Sequence, residues 1–358
     1  MKVAIMGAGL SGLACAIILE RNGLTPTIYE KRSQVGDRFI YGEIMMEILN
    51  KPVVDSLAYL SEKFQIYLQP AANIKEIYIH SKNNTAAING HLGYITIRGR
   101  HENSMEAQLH RQLHSPIIFN SDINYEDLIK EYTHVVLATG DAAYSKKLQD
   151  FDEAFTVRLK GATILGDFEP RRVHAWLDNT LAPKGYCYLI PYSREEANIV
   201  IAYPNYPENE EKSEDEYWNK FYDRIRGQFN ADFKIRDSFN ITQYIIGKAA
   251  RPRIGNTFFA GNCLCAIMPF LGFGQFTSIL TGIEVAQDLL GKISIEDSAS
   301  HHFKSFEESL VLRRAMEKLD NKGLDTFVKL LENHRGNYLF NSKINLLSLA
   351  GRALTPFF

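Results

Sequence analysis

Cysteine is scarce in this chain. There are four (Cys15, Cys187, Cys263, Cys265) in 358 residues, in no paired framework. That excludes a disulfide scaffold and suggests a reducing compartment. Cys263 and Cys265 are spaced C-x-C, not the C-x-x-C of dithiol reductases. No apolar run reaches the ~18 residues of a membrane-spanning helix. An excess of one charge is also lacking. The net charge is −2, so no nucleic-acid partner is expected. The chain opens directly in an apolar strand pattern, which leaves no room for a signal peptide, and a soluble, cytoplasmic protein is the expectation. No metal is expected. What is present is ordinary globular material, 45% hydrophobic and 23% charged. At ~100–200 residues per domain, this length suggests two closely joined domains.

The first thirty residues organise the rest. Lys2–Met6 is a strand-like run that ends in Gly7, Gly9 and Gly12 in GxGxxG order, and a helical pattern follows (Leu13, Ala14, Ile17, Ile18). Gly23 ends the helix, and Thr25–Tyr29 reads as a second strand closing on Glu30. Gly7 allows the tight turn, Gly9 lets backbone approach a pyrophosphate, and Gly12 with Ala16 lets helix and strand pack closely. The helix N-terminus then offers free N–H groups and a positive dipole end to the phosphates. Glu30 is placed to accept hydrogen bonds from an adenosine ribose. Flavoproteins often extend this fingerprint with a Gly-Gly pair, a position taken here by Gly36-Asp37, so FAD is favoured over NAD. No second GxGxxG exists, which leans away from a dedicated nicotinamide-nucleotide domain.

Further along, Tyr41-Gly42-Glu43 precedes an amphipathic helical stretch over about 52–64, and 74–80 and 93–98 alternate as strands. Arg100 stands before a helix over 104–113, as a phosphate or flavin contact or a solvated loop charge. Val135–Ala138 is a strand that closes in Thr139-Gly140-Asp141, a return to the cofactor or a routine turn. Strands interleaved with aromatics follow over 156–165, 186–190 and 198–202. Ser213 and Glu216 form a capping-box pattern. The helix after them carries Tyr217, Trp218, Phe221, Ile225 and Phe229 on one face. Such a stripe is core or the wall of an apolar cavity, and helical spacing favours core. Thr257–Ala260 ends in Gly261-Asn262, and Gly272-Phe273-Gly274 opens a helix over 275–290, a second anion-stabilising start. The tail over 296–358 is helical and ends in INLLSLAGRALTPFF. It packs on the body or touches a membrane surface, and packing is favoured. His91, His101, His110 and His114 sit among polar residues, and no histidine is nominated for chemistry.

With these residues in view, the chain resembles the geranylgeranyl reductase family, FAD enzymes of the p-hydroxybenzoate hydroxylase-like flavoprotein group. Four blocks carry the resemblance: GAGLSG with Glu30, Tyr41-Gly42-Glu43, the 251–290 segment, and PKGYCYLIP at 183–191. In the last, Pro183, Tyr186 and Pro191 match the family pattern, with Tyr188 where it has Trp and Ile190 where it has Phe. Asn262 stands where the family has an Asp on the flavin ribityl chain, and Tyr41 where it has Cys.

The resemblance implies an α/β fold, with a Rossmann-like FAD-binding domain (GR2 type), an inserted mixed β-sheet substrate domain and a helical C-terminal segment. The expected boundaries are 1–155 plus 246–295, with strands from 70–98, for the FAD domain; 156–245 for the substrate domain; and 296–358 for the tail. It implies reduction of C=C bonds in an isoprenoid or other apolar substrate by hydride from reduced flavin. A flavin monooxygenase of the same fold and a non-catalytic flavin-binding redox sensor are the alternatives. The external electron donor, NAD(P)H or a ferredoxin-like protein, stays open. Expected cofactor contacts are Gly7, Gly9, Ser11, Gly12, Glu30, Lys31, Tyr41, Gly42, Arg100, Ile123, Gly140, Gly261, Asn262, Gly272, Phe273, Gly274 and Gln275. Pro183, Tyr186, Tyr188, Pro191 and Phe270 would line the substrate cavity, and Tyr41 or Tyr188 would supply a proton.

Overall fold

The N-terminal run folds as its spacing dictates. Strand β1 (Val3–Met6) turns at Gly7 into helix α1 (Leu10–Arg21), and β2 (Thr27–Tyr29) returns parallel to β1. The computed structural model describes residues 1–332 and 334–355. The last three residues of the apolar tail, 356–358, lie outside the described residues.

Next come β3 (Tyr41–Met46), α2 (Ser56–Phe64), β4 (Ala72–His80), β5 (Thr85–Arg98) and α3 (Met105–His110). They are followed by β6 (Ile117–Ile118), α4 (Tyr125–Glu131), β7 (His134–Leu137) and α5 (Ala143–Leu148). The middle of the chain holds β8 (Phe151–Leu165), β9 (Arg172–Trp176), β10 (Tyr186–Pro191), β11 (Glu196–Pro204), α6 (Glu214–Phe229) and β12 (Lys234–Ala249). The chain then runs through β13 (Arg253–Ile254), β14 (Thr257–Phe259) and α7 (Gln275–Leu289). The tail is α8 (Ile295–Glu317), α9 (Asn321–Leu331), α10 (His334–Asn341) and α11 (Leu346–Leu354).

Two sheets result. The first has six strands in the order β13-β14-β7-β1-β2-β6, parallel except at the β13–β14 edge. Its core is built by α1 and α7. A Cβ on Gly282 of α7 would overlap the Ser11 carbonyl oxygen, so these two helices pack backbone to backbone. The second sheet has eight strands in the order β12-β8-β11-β10-β9-β4-β5-β3.

The strands expected to serve the nucleotide domain from 70–98 lie in this second sheet instead. There β4 pairs in parallel with β9, and β5 bonds both β4 and β3. Alternation shows that a segment is a strand, but pairing between β4 and β9 joins residues nearly a hundred apart, which no local signal carries. Strands also cross the expected boundaries at 156 and 246. Strand β8 starts at Phe151 and pairs with β12 as far as Ala249, through three register shifts.

Period-2 alternation gives the eight-stranded sheet two apolar faces. Cys187, Leu189 and Trp176 pack under α6 with Tyr217, Trp218, Phe221 and Ile225, so the aromatic stripe is core. The capping box is present, Ser213 bonding the Glu216 N–H and Glu216 bonding back. The other face of the sheet looks toward the six-stranded domain.

Under α6, His80 and His174 are both buried, with Nε2 of one 3.0 Å from Nδ1 of the other. Gln228 Nε2 lies 3.2 Å from His80 Nε2, and Gln228 Oε1 accepts from the Trp176 N–H at 3.0 Å. Burial pushes His80 down to about 4 and His174 to about 3. The unfolded chain takes up protons below ~6.5 that the fold refuses. Stability conferred by His80 is therefore intact above ~6.5 and lost as pH falls toward 4, by about 3 kcal/mol. Burial pushes Glu47 up to about 7, and that carboxyl stabilises the fold progressively over much of the same descent. Comparison with His80→Gln isolates the histidine. Urea unfolding from pH 7 to 4 should show a steeper fall for the wild type than for the variant; parallel curves would refute this.

Candidate active site

The glycines of the first turn divide into two roles. A Cβ on Gly7, at φ +109°, would overlap the Ala138 carbonyl oxygen, and one on Gly12 would overlap the Gly7 oxygen. Both therefore serve packing. A Cβ on Gly9 would meet no described protein atom within 4 Å, and Gly9 lines the large cavity. Glu30 closes the cradle: Oε2 accepts from the Ala8 N–H at 2.8 Å and Oε1 from the Arg32 N–H at 3.0 Å.

Gly9 sits at the α1 N-cap in extended backbone (φ −87°, ψ −171°), a conformation serine adopts readily. Gly9→Ser should leave stability unchanged or slightly raised, since serine is a good N-cap. Its hydroxyl would fill the space where the GxGxxG spacing places a pyrophosphate, so flavin affinity should fall on the order of tenfold or more. Thermal melts with flavin-fluorescence titration check this; unaltered affinity would show that the phosphates lie elsewhere.

The cavity occupies about 1230 Å³ between the two sheets, more than the ~300–1,000 Å³ typical of one drug-sized ligand. Most sequence-based candidates meet on its wall: Gly7, Gly9, Ser11, Glu30, Lys31, Tyr41, Ile123, Gly140, Gly261, Asn262, Gly272, Phe273, Gly274 and Gln275. Tyr186, Tyr188 and Phe270 line it too. Five do not reach it. Gly12 packs α1 on β1, and Gly42 donates its N–H to Asn198 Oδ1 behind the wall. Arg100 is an exposed residue paired with Asp37 at 2.8 Å. Pro183 precedes β10 and Pro191 ends it, both outside the lining.

Helices α1 and α7 both start on this cavity with a glycine N-cap and no side-chain cap. Helices α2, α6, α8 and α9 instead begin on Asp55, Ser213, Ser294 and Asp320, whose side chains bond their first turns. The free N–H groups of α1 and α7 thus face the same space, and each start favours negative charge. Asn262 donates Nδ2 to the Gly140 carbonyl at 3.1 Å and to the Tyr244 hydroxyl at 3.0 Å. Its amide oxygen remains as an acceptor.

Between these ends lies a charged centre that sequence reading passed over. Arg98 bonds Glu43 at 2.8 Å through Nη1 and Glu106 at 2.7 Å through Nε. Gln275 Oε1 accepts from Thr96 at 3.0 Å, and its buried Nε2, near Glu43, has no hydrogen-bond partner of its own. Burial raises the Glu43 pKa, and Arg98 pulls against that rise. Tyr41 and Tyr188 are driven upward by burial as well. From a higher starting value, both are poorer proton donors near neutrality than a carboxylic acid. The signal was present in strand periodicity. Residues two apart share a face, which puts Glu43 beside Tyr41 and Arg98 beside Thr96 in the β3–β5 pair.

Beyond this centre the wall becomes apolar. Ile77, Ile79, Val173, Ala175 and Leu177 come from the sheet, and Phe327, Leu331, Leu339, Phe340 and Leu347 from the tail helices. Tyr186 is anchored by donating its hydroxyl to the Leu271 carbonyl. Among the described residues no group of three or more His, Cys, Asp or Glu is arranged to hold a metal ion.

Residues 5–44 match the family described as NAD(P)-binding Rossmann-like domain. Over 41 residues the chain is 49% identical to the small chain of glutamate synthase [NADPH] from Halomonas elongata, covering 12% of this chain and 9% of that one. The chain spans less than a tenth of the length of the curated relatives it matches. Similarity to solved structures runs through the whole molecule. A geranylgeranyl bacteriochlorophyll reductase-like protein from Thermoplasma acidophilum superposes with TM-score 0.70 at 16% identity, over 99% of this chain and 96% of that one. The flavin-dependent brominase Bmp2 does so with TM-score 0.70 at 14% identity, over 99% and 98%. The fold is the one these two solved structures share. In it the nucleotide cradle and the eight-stranded sheet share one cavity, and the helical tail closes the far end.

Proposed function

We propose that this protein binds FAD and reduces a C=C bond of an isoprenoid or other apolar substrate. One observation carries the reading: the cavity runs unbroken from the Gly-x-Gly cradle, past the uncapped start of α7, into an apolar chamber. The residues fit the cofactor. Gly9 leaves open space at the α1 N-terminus, and Gln275 keeps an unbonded, buried amide at the start of α7. Glu30 would take the adenosine ribose, α1 the pyrophosphate, and α7 with Gly272 and Gly274 the electron-rich edge of the flavin. When bound and reduced, FAD supplies the hydride for such a reaction.

The chain's own contribution is orientation and a proton. Tyr186, Tyr188 and the aliphatic wall exclude water and hold the double bond. Glu43 sits at the boundary between polar and apolar halves, where burial raises its pKa against the pull of Arg98, and it would supply a proton there. Glu43 would give its proton to the carbon that does not take the hydride, and an external donor, NAD(P)H or a ferredoxin, would restore the cofactor.

The test is the visible spectrum of the purified protein, then photoreduction and anaerobic addition of a geranylgeranyl lipid. Flavin bands that bleach on reduction and return with the lipid are expected. A flavin that ignores the lipid but reoxidises quickly in air would move the assignment to a monooxygenase. Absence of flavin after reconstitution with FAD would overturn the proposal.

A further inference from the structure

The three short tail helices have two faces with different work. Inward, Phe327, Leu331, Leu339, Phe340, Leu347 and Ala350 line the apolar chamber. Outward, Leu330, Tyr338, Ile344 and Leu349 stand 50%, 68%, 57% and 52% exposed. These are four of the twelve large apolar side chains exposed among the described residues, gathered on one short segment. The same segment is basic. Lys322, Lys329, Arg335, Lys343 and Arg352 face only Asp325 and Glu332 between 322 and 352, in a chain whose net charge is −2. Asp325 is turned inward, accepting from Ser81 and Asn83 in the β4–β5 turn. Arg352 is paired with Glu308 on α8; the lysines of α9 and of the α10–α11 link have no ion-pair partner among the described residues.

We propose that the outer face of α9–α11 seats the protein on an anionic lipid surface, so that the apolar chamber opens toward the bilayer. This rests on the reading of the chamber as the site of an apolar substrate. Exposed apolar side chains interleaved with lysine and arginine are the composition that binds anionic interfaces. The apolar groups enter the headgroup boundary, while the long cationic side chains reach the phosphates. No helix among the described residues is long and apolar enough to cross a membrane, so contact is with the surface. A substrate too insoluble to diffuse through water would then pass from one apolar phase to another beneath these helices.

Vesicle flotation of the full-length protein tests this, with equal phosphatidylglycerol and phosphatidylcholine in one set and phosphatidylcholine alone in the other. Wild type should float with the first set and stay behind with the second. K329E/K343E and I344S/L349S should each bind the anionic vesicles on the order of tenfold more weakly. Both should keep the bound-flavin spectrum and reoxidation by a detergent-solubilised geranylgeranyl lipid. No flotation of wild type, equal flotation with both vesicle sets, or variants that float like wild type would each overturn the proposal. So would a stable dimer that I344S/L349S dissociates, since the face would then belong to a second copy. Flotation without flavin would uphold the docking surface and refute the reductase reading; flavin chemistry without flotation would do the reverse.

Discussion

Arg98→Met is expected to destabilise the fold by about 3–5 kcal/mol, the range for removing one partner of a buried ion pair. The Arg98 side chain is 16% accessible, and among the described residues it alone pairs Glu43 and Glu106 across the β3–β5–α3 junction. Glu106 is already strained in this respect, with Oε2 buried and unbonded. Methionine keeps most of the side-chain volume, so packing changes little and the deficit measures unpaired charge. Its sign with pH follows. Glu43, already raised by burial, would rise further without the cation, and it becomes neutral as pH falls. The deficit should therefore be largest near pH 8 and shrink toward pH 5. R98M/E43Q/E106Q should recover most of the stability, because a neutral triad leaves no buried charge. Urea unfolding of the three proteins at the two pH values decides it. An Arg98→Met curve that overlays wild type, or a triple variant as weak as the single one, would refute the account.

Glu43→Gln should lower the rate of substrate-driven flavin reoxidation roughly 10²–10⁴-fold, the usual yield of a positioned general acid. Glutamine keeps the shape and can still accept from Arg98, so flavin binding should be unaltered. The pH profile separates proton donation from positioning. Glu43 donates only while protonated, so the wild-type rate should decline as pH rises through its raised pKa, whereas the variant should be flat across that interval. A Glu43→Gln rate within about threefold of wild type would return the proton to solvent or to a tyrosine. Together with the Arg98 result, this would tell a site held for chemistry from one held only for stability.

Several parts of the molecule are legible in the chain itself. GxGxxG followed by Glu30 identifies the β1–α1–β2 unit because each glycine answers a backbone requirement within a dozen residues. Gly7 has its positive φ and Gly12 its close contact, while Gly9 opens on the cavity. Tyr186 and Tyr188 reach the cavity because strand alternation is a local rule. The capping box at Ser213 is likewise a matter of four neighbouring residues.

Tertiary structure decided the rest. It put Arg98 on the cavity in place of Arg100, the expected phosphate or flavin contact. Both arginines precede α3, but only Arg98 meets Glu43 across the β3–β5 ladder; Arg100 turns outward to Asp37. It raised the Glu43 pKa by burial, which is why Glu43 rather than Tyr41 is the proposed acid. It also brought α9–α11 over the apolar chamber, a contact between segments hundreds of residues apart. Backbone demands of turns and helix starts act over a few residues and leave their mark in sequence. Burial and charge pairing are set by whichever distant segment closes the site, and no single stretch of chain records that.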